Sequence, residues 1–311
     1  MRADLQMDVL ASDVLLQAGG ARAVLRPVAG GRICSLELAR TDGRTVAVLH
    51  PYTAAGVDAA NWAKGGIYPL VPYSNRIAGS VLQTTEGPVS LPPHPSAAPH
   101  TLHGHAHGLP WTVMTHGPSS ATLKLDSPPC PAWPWHLQAE MHLQLRPNAM
   151  TLKLEVKNLS PETKPNMPTG MGWHPYFRHL PTARLRYTAS ELWPTTDDFL
   201  AEPPRALTAG EDFSQPRALR DGTLTDYLGG CTGALDVELP EGDVLSITQQ
   251  GLPHLVVHRP PQPVYLCLET VSHVANGFNL AARGQPGTGT VQLASGQNID
   301  SELTLTLISS F

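Results

Sequence analysis

The chain has 311 residues, of which 41% are hydrophobic and 15% charged, with a formal net charge of -5. That is enough apolar material for a sizeable core, and the acidic balance argues against nucleic acid or an anionic membrane surface as a partner. Glycine (27) and proline (31) together make 58 of the 311 residues, a density of punctuation that many short strands require and long helices do not tolerate.

The chain begins Met1-Arg2-Ala3-Asp4-Leu5-Gln6-Met7-Asp8, with acids where a secretion signal needs an apolar core, and no long apolar span follows. A soluble cytoplasmic protein is expected. Turn clusters punctuate the chain early, at Ala29-Gly30-Gly31 and Thr41-Asp42-Gly43. Residues 56–64 allow one-turn helices. Residues 68–79 place Pro69 and Pro72 in a stiff extended segment that turns at Asn75 and Arg76. Residues 92–99 read as an irregular surface loop. Strands follow at 121–126, 137–145 and 151–157. In the second of these Leu137, Ala139, Met141, Leu143 and Leu145 share one face, and Gln138, Glu140, His142 and Gln144 the other. Residues 181–215 read as a second long surface loop. Strands resume at 244–248 and 303–307, where Leu303, Leu305 and Leu307 alternate with threonines.

No run of twelve or more residues has clean helical periodicity. The expected fold is therefore all-β, a large antiparallel sandwich, with residues 1–311 as a single domain because no composition shift or linker divides the chain. The cysteines Cys34, Cys130, Cys231 and Cys267 are scattered without CxxC spacing, so reduced, mostly buried thiols are expected rather than zinc or redox chemistry. No phosphate-binding glycine loop and no GxSxG elbow is present, which excludes the familiar nucleotide and serine-hydrolase motifs.

Two segments carry candidate chemistry. Gly172-Trp173-His174-Pro175-Tyr176-Phe177 sets an imidazole among aromatic rings suited to stacking on a sugar, Tyr176 among them. Val264-Tyr265-Leu266-Cys267-Leu268-Glu269-Thr270-Val271 places one carboxyl group in an apolar strand, where it must be paired or used. Desolvation would raise the Glu269 pKa toward the range of a useful base, so His174 and Glu269 read as an acid and a base. The bland alternatives are a core histidine and a buried ion pair. Arg76 and Asn75 offer donors to substrate hydroxyls, or else form an ordinary loop tip. His103, His105 and His107 lie two apart, as metal ligands on a strand would, but the glycines among them argue for a loop, and a substrate-binding loop is preferred to a metal. Asp226, in Gly222-Thr223-Leu224-Thr225-Asp226-Tyr227, reads by itself as a turn former.

Taken in order, these motifs resemble the aldose 1-epimerase (galactose mutarotase) family over nearly the whole chain. The residues that carry the resemblance are Pro27 with Gly30-Gly31 in an opening hairpin, Pro69-Leu70-Val71-Pro72-Tyr73-Ser74-Asn75-Arg76-Ile77, Leu102-His103-Gly104 with Pro110-Trp111, the His174 motif, and Cys267-Leu268-Glu269-Thr270 with Phe278-Asn279. The resemblance implies the galactose mutarotase-like sandwich and no cofactor or metal. It implies Glu269 as general base and His174 as general acid, with Asn75, Arg76, His103 and Asp226 binding a monosaccharide. The chain departs from the family pattern at Tyr227, where a histidine is usual, and at residues 105–109, which bears on the sugar's identity more than on the reaction. Interconversion of the anomers of a free aldohexose is the function implied. A hexose-6-phosphate 1-epimerase and a non-catalytic sugar-binding protein of the same fold are the alternatives. The partner expected is the sugar alone, with the chain a monomer or homodimer.

Overall fold

Alternation of apolar and polar residues fixes most of the architecture. The leucines of residues 137–145 and 151–157 lie in the strands Leu137–Arg146 and Ala149–Asn158, paired antiparallel in a hairpin with Leu143 opposite Leu152. The C-terminal strand Asn298–Ile308 adds to the open edge of that hairpin. In a computed structural model of the chain, residues 8–58, 63–178, 181–240, 242–262 and 264–309 are described. Their strands form an eleven-stranded and a nine-stranded sheet, with three small two-stranded pieces beside them.

The two sheets close on one another through their alternating apolar faces. The main core cluster takes Leu137, Met141, Leu152, Leu154 and Leu305 from the smaller sheet, and Leu25, Leu36, Trp173, Phe177, Val257 and Leu268 from the larger. Antiparallel sheets commonly bury one face and leave the other available. Here the second face of the larger sheet carries its own cluster, including Tyr68, Tyr176, Tyr227, Val256 and Cys267. The all-β sandwich expected from the sequence is thus the observed fold.

Two readings of the chain change. Residues 181–215 are not one loop: they hold the strands Arg184–Thr188, Glu191–Trp193 and Arg205–Ala206. Strands this short give too few alternations to stand out from a loop. The one α-helix among the described residues, Gly277–Ala282, spans less than two turns and is likewise too short for a periodic signature. The one-turn helices allowed at residues 56–64 fall partly on 59–62, outside the described residues. No described helix is long and apolar enough to cross a membrane. All four cysteines are free, with Cys34 and Cys267 buried and Cys130 and Cys231 part-exposed.

Candidate active site

Five strands of the larger sheet present one row of side chains across its second face, and strand register sets the row. Tyr68, in the strand Ile67–Leu70, lies opposite His174 in the strand Gly172–Arg178. Tyr176, two residues on, lies opposite Cys267 in the strand Tyr265–Val271. Cys267 in turn faces His258, and Glu269 faces Val256, in the strand His254–Arg259. His258 faces Thr225 and Val256 faces Tyr227, in the strand Leu224–Gly229. Because side chains alternate along each strand, residues two apart reach the same face. That brings Tyr176 to His174 and Cys267 to Glu269, while Trp173, Phe177 and Leu268 go to the core.

Loops complete the cleft. Asn75 and His103 both have left-handed backbones, at φ 60 each. The Asn75 N–H donates to His103 Nδ1 at 3.0 Å, and the His103 N–H donates to the Asn75 carbonyl at 2.8 Å. Gly104 is required beside them, since a Cβ there would lie 2.2 Å from the Val71 carbonyl oxygen. Asn75 Oδ1 accepts from the Arg76 backbone N–H at 3.0 Å and from the Tyr227 hydroxyl at 3.2 Å, which leaves the Asn75 amide NH₂ as a donor. The Arg76 guanidinium stacks on Phe199, 4.8 Å from the ring centre. The cleft encloses about 220 Å³ and is lined by His174, Glu269, Tyr176, Asn75, Arg76 and His103, with Lys64 and Phe199 among the others. A larger cavity of about 320 Å³ opens elsewhere, lined largely by aliphatic residues such as Val46, Leu239 and Leu266. None of its described lining residues is a carboxylate or an imidazole, so it offers no acid–base chemistry.

At the centre of the cleft His174 Nε2 lies 3.4 Å from Glu269 Oε1, both side chains being almost fully buried. Tyr176 stacks on the imidazole, with ring centres 4.5 Å apart at 11°, and Tyr68 adds a second stacked contact at 4.9 Å and 29°. Burial pushes the Glu269 carboxyl up to about 8, with Arg76 and Lys64 pulling the other way. Burial likewise holds His174 well below the ordinary histidine range, helped by the charge of Lys64. Each group is driven to its uncharged form, so at neutral pH the pair rests as a carboxylic acid beside a neutral imidazole and holds one transferable proton. Glu269 Oε2 and His174 Nδ1 make no hydrogen bond within the protein.

The site residues expected from the sequence divide unevenly. His174, Glu269, Tyr176, Asn75, Arg76 and His103 are brought together. Asp226 is not among them. It lies opposite Val257, a core residue, and Arg220 Nη2 donates to it at 2.6 Å. Its neighbours Thr225 and Tyr227 are the ones that line the cleft. The correction follows from the pleat: consecutive strand residues face opposite ways, so an acid between two cleft residues cannot join them. Alternation counted outward from Glu269 would have found Cys267 and Tyr265, and the same count finds His258 beside Val256. Phe199 has no comparable signal, because a left-handed loop residue (φ 64) follows no period.

A metal reading of the histidine loop does not survive its geometry. His105 Nε2 lies 2.8 Å from Ser127 Oγ, and His107 packs on Tyr68 with ring centres 5.2 Å apart, so these two side chains serve separate contacts. A different set, His103, His174 and Glu269, has ligand atoms within 4.8 Å of one another. Two imidazoles and a carboxylate are metal-competent chemistry. However, His103 Nδ1 already accepts from the Asn75 N–H, which puts the ring proton on Nε2 and makes that nitrogen a donor to an oxygen rather than a lone pair for a cation.

A paired carboxyl and imidazole in a cleft of about 220 Å³, on one face of a large two-sheet antiparallel sandwich, define a protein of galactose mutarotase-like build. Residues 12–306 match the family described as aldose 1-epimerase, and the chain belongs to that family. It is 26% identical over 279 residues to the uncharacterised protein YphB of Escherichia coli K12, covering 84% of this chain and 89% of that one. It is similar in fold to a galactose mutarotase-like protein from Clostridium acetobutylicum, with a TM-score of 0.81 at 16% identity over 98% of each chain. An aldose epimerase homologue from C. elegans superimposes with a TM-score of 0.78 at 18% identity, over 96% of this chain and 100% of that one.

Proposed function

We propose that the protein is an aldose 1-epimerase that interconverts the α and β anomers of a free aldohexose. The observation that carries this reading is the meeting of Glu269 and His174, 3.4 Å apart, in a cleft lined by hydrogen-bond donors. Ring opening of a pyranose needs a base at the anomeric hydroxyl and an acid at the ring oxygen. Those two oxygens share one carbon, so a donor and an acceptor held side by side can serve both.

In the reaction proposed, the anomeric O–H gives its proton to Glu269 while the ring oxygen takes one from His174. The C1–O5 bond breaks as the carbonyl forms. The open aldehyde rotates about C1–C2 and presents its other face, and the same groups reverse their roles on closure. The proton count of the pair is unchanged over the cycle. Arg76, the Asn75 amide and the His103 Nε2–H hold hydroxyls and favour negative charge developing on oxygen. Tyr176 keeps the imidazole plane in place.

A second reading is favoured by a specific feature: Lys64 and Arg76 both line the cleft, and Glu269 is its only described carboxyl. That charge balance suits an aldose bearing a phosphate, and a rate panel over free and 6-phosphorylated hexoses separates the two. The test of the reaction itself is Glu269→Gln. Anomer exchange, followed by polarimetry from a pure α anomer, should fall by about 10²-fold or more, with the circular dichroism spectrum unchanged. A folded variant that still exchanges anomers at the wild-type rate removes Glu269 as base. Saturable sugar binding by a wild-type protein that does not accelerate exchange makes it a binding protein instead.

A further inference from the structure

One buried charge lies close behind the acid–base pair and takes no part in the steps above. Arg32 opens the strand Arg32–Ala39 and is 0% exposed. Its guanidinium carbon sits 4.2 Å from the ring centre of Tyr52 and 4.2 Å from that of Tyr68. Nη1 donates to the Gly65 carbonyl oxygen at 2.8 Å, whereas Nε and Nη2 have no hydrogen-bond partner. No carboxylate among the described residues pairs with it. A buried ion without a counter-charge is costly even after relaxation, and desolvated cation–π contacts offset that cost in part. An apolar side chain of similar volume would fill the same space at less cost, so stability does not account for a cation here.

Position does. Arg32 touches Tyr68, Tyr68 stacks on His174, and His174 stacks on Tyr176, in one run of flat contacts. Tyr68 is also the direct cross-strand neighbour of His174. We propose that Arg32 is a positioning residue for the reaction, holding Tyr68 as the surface against which the His174 imidazole is set. The assignment rests on the acid–base reading of His174 given above.

The cation also acts at a distance. Other groups that face His174 are Glu269 from the neighbouring strand, Tyr176 on its own strand, Tyr68 from the strand on its other side, His258 from the sheet, His103 and His107 from the loop, and Lys64 and Arg76 at the cleft wall. Among the cations near the imidazole, Arg32 acts on it directly and is the one that the bulk solvent does not reach. Its removal should therefore ease protonation of His174.

The test compares Arg32→Met with Arg32→Lys. The ring nitrogen resonances of His174 are followed against pH, and kcat and KM are measured separately. For Arg32→Met the His174 midpoint should move upward and kcat should drop by about tenfold or more, with KM held, because Arg32 does not line the cleft. Arg32→Lys keeps the charge and should restore the titration. An unmoved His174 titration in a folded Arg32→Met protein overturns the proposal, as does a parallel change in kcat and KM. If Arg32→Met does not fold, Arg32→Gln, which can still donate to the Gly65 carbonyl, carries the same comparison. Failure of both neutral variants to fold while the lysine variant folds assigns Arg32 to stability alone and also overturns it. The titration needs no turnover, so absence of anomer exchange in the wild type would defeat the proposed function and leave this reading to its own result.

Discussion

The reactive pair makes a definite statement about pH. Glu269 is raised to about 8 and His174 is held well below its ordinary value, so across the neutral range the two share one titratable proton. Glu269 ionised with His174 protonated, the form that the proposed reaction requires, has that same proton count and differs only by a transfer between neighbours. Such coupled groups titrate as a pair. As pH rises through about 8 the pair loses its proton and with it the acid. We expect kcat/KM for anomer exchange to be flat from about pH 6 to 7.5 and to decline above about 8. A rate that climbs through pH 8 would mean that the fully deprotonated pair is the working form and that His174 is not the donor. Folding responds in the same window. The carboxyl ionises in the unfolded chain from its ordinary value of 4.5 but keeps its proton in the fold up to about 8. Ionisation therefore favours unfolding, and the stability due to this group declines as pH rises between those limits. Glu269→Gln should lack that slope.

At the scale of the strand, alternation decides who takes part. Thr225 and Tyr227 line the cleft and Asp226 lies on the opposite side of the sheet, joined to Arg220. Asp226→Asn should leave kcat and KM within about twofold of wild type. A loss of more than tenfold in kcat/KM, with the fold intact, would place the carboxylate in contact with substrate after all. The strand segments also show how much of the site the sequence carried. Glu269 and His174 were visible because a carboxyl in an apolar strand and an imidazole among rings are locally expensive or unusual. Asn75, Arg76 and His103 were visible as a stiff turn and a glycine-flanked histidine. Which side a strand residue faces is settled by pairing with partners far along the chain, as when Asp226 meets Val257. That information is non-local, and the resemblance that implied a binding role for Asp226 does not carry it. Phe199 and Arg32 were invisible for related reasons, since one depends on a loop without period and the other on a contact with Tyr68 across the sheet.

For the whole molecule, the two faces of the larger sheet separate stability from chemistry. The alternating leucines that announced the sandwich all belong to the buried side, which is why the architecture could be read from periodicity while the short strands in residues 181–215 could not. Leu154, 0% exposed in the smaller sheet, lies in the main core cluster, away from the cleft. Leu154→Ala should lower unfolding free energy by about 2–5 kcal/mol, measured by urea denaturation, while anomer exchange per folded molecule stays at the wild-type value. A selective loss of turnover without loss of stability would show that the core and the cleft are mechanically linked.

The acid–base centre stands on paired strands, whereas Lys64, Ser96 and Phe199 approach it from loops. Backbone hydrogen bonds on both sides hold the former, and the latter are free to vary in length and composition without disturbing a ladder. A pleated wall with an exchangeable margin would let the proposed catalyst be refitted for a succession of sugars. Diversification in such a lineage should then accumulate at the margin, leaving the proton-handling machinery where it stands.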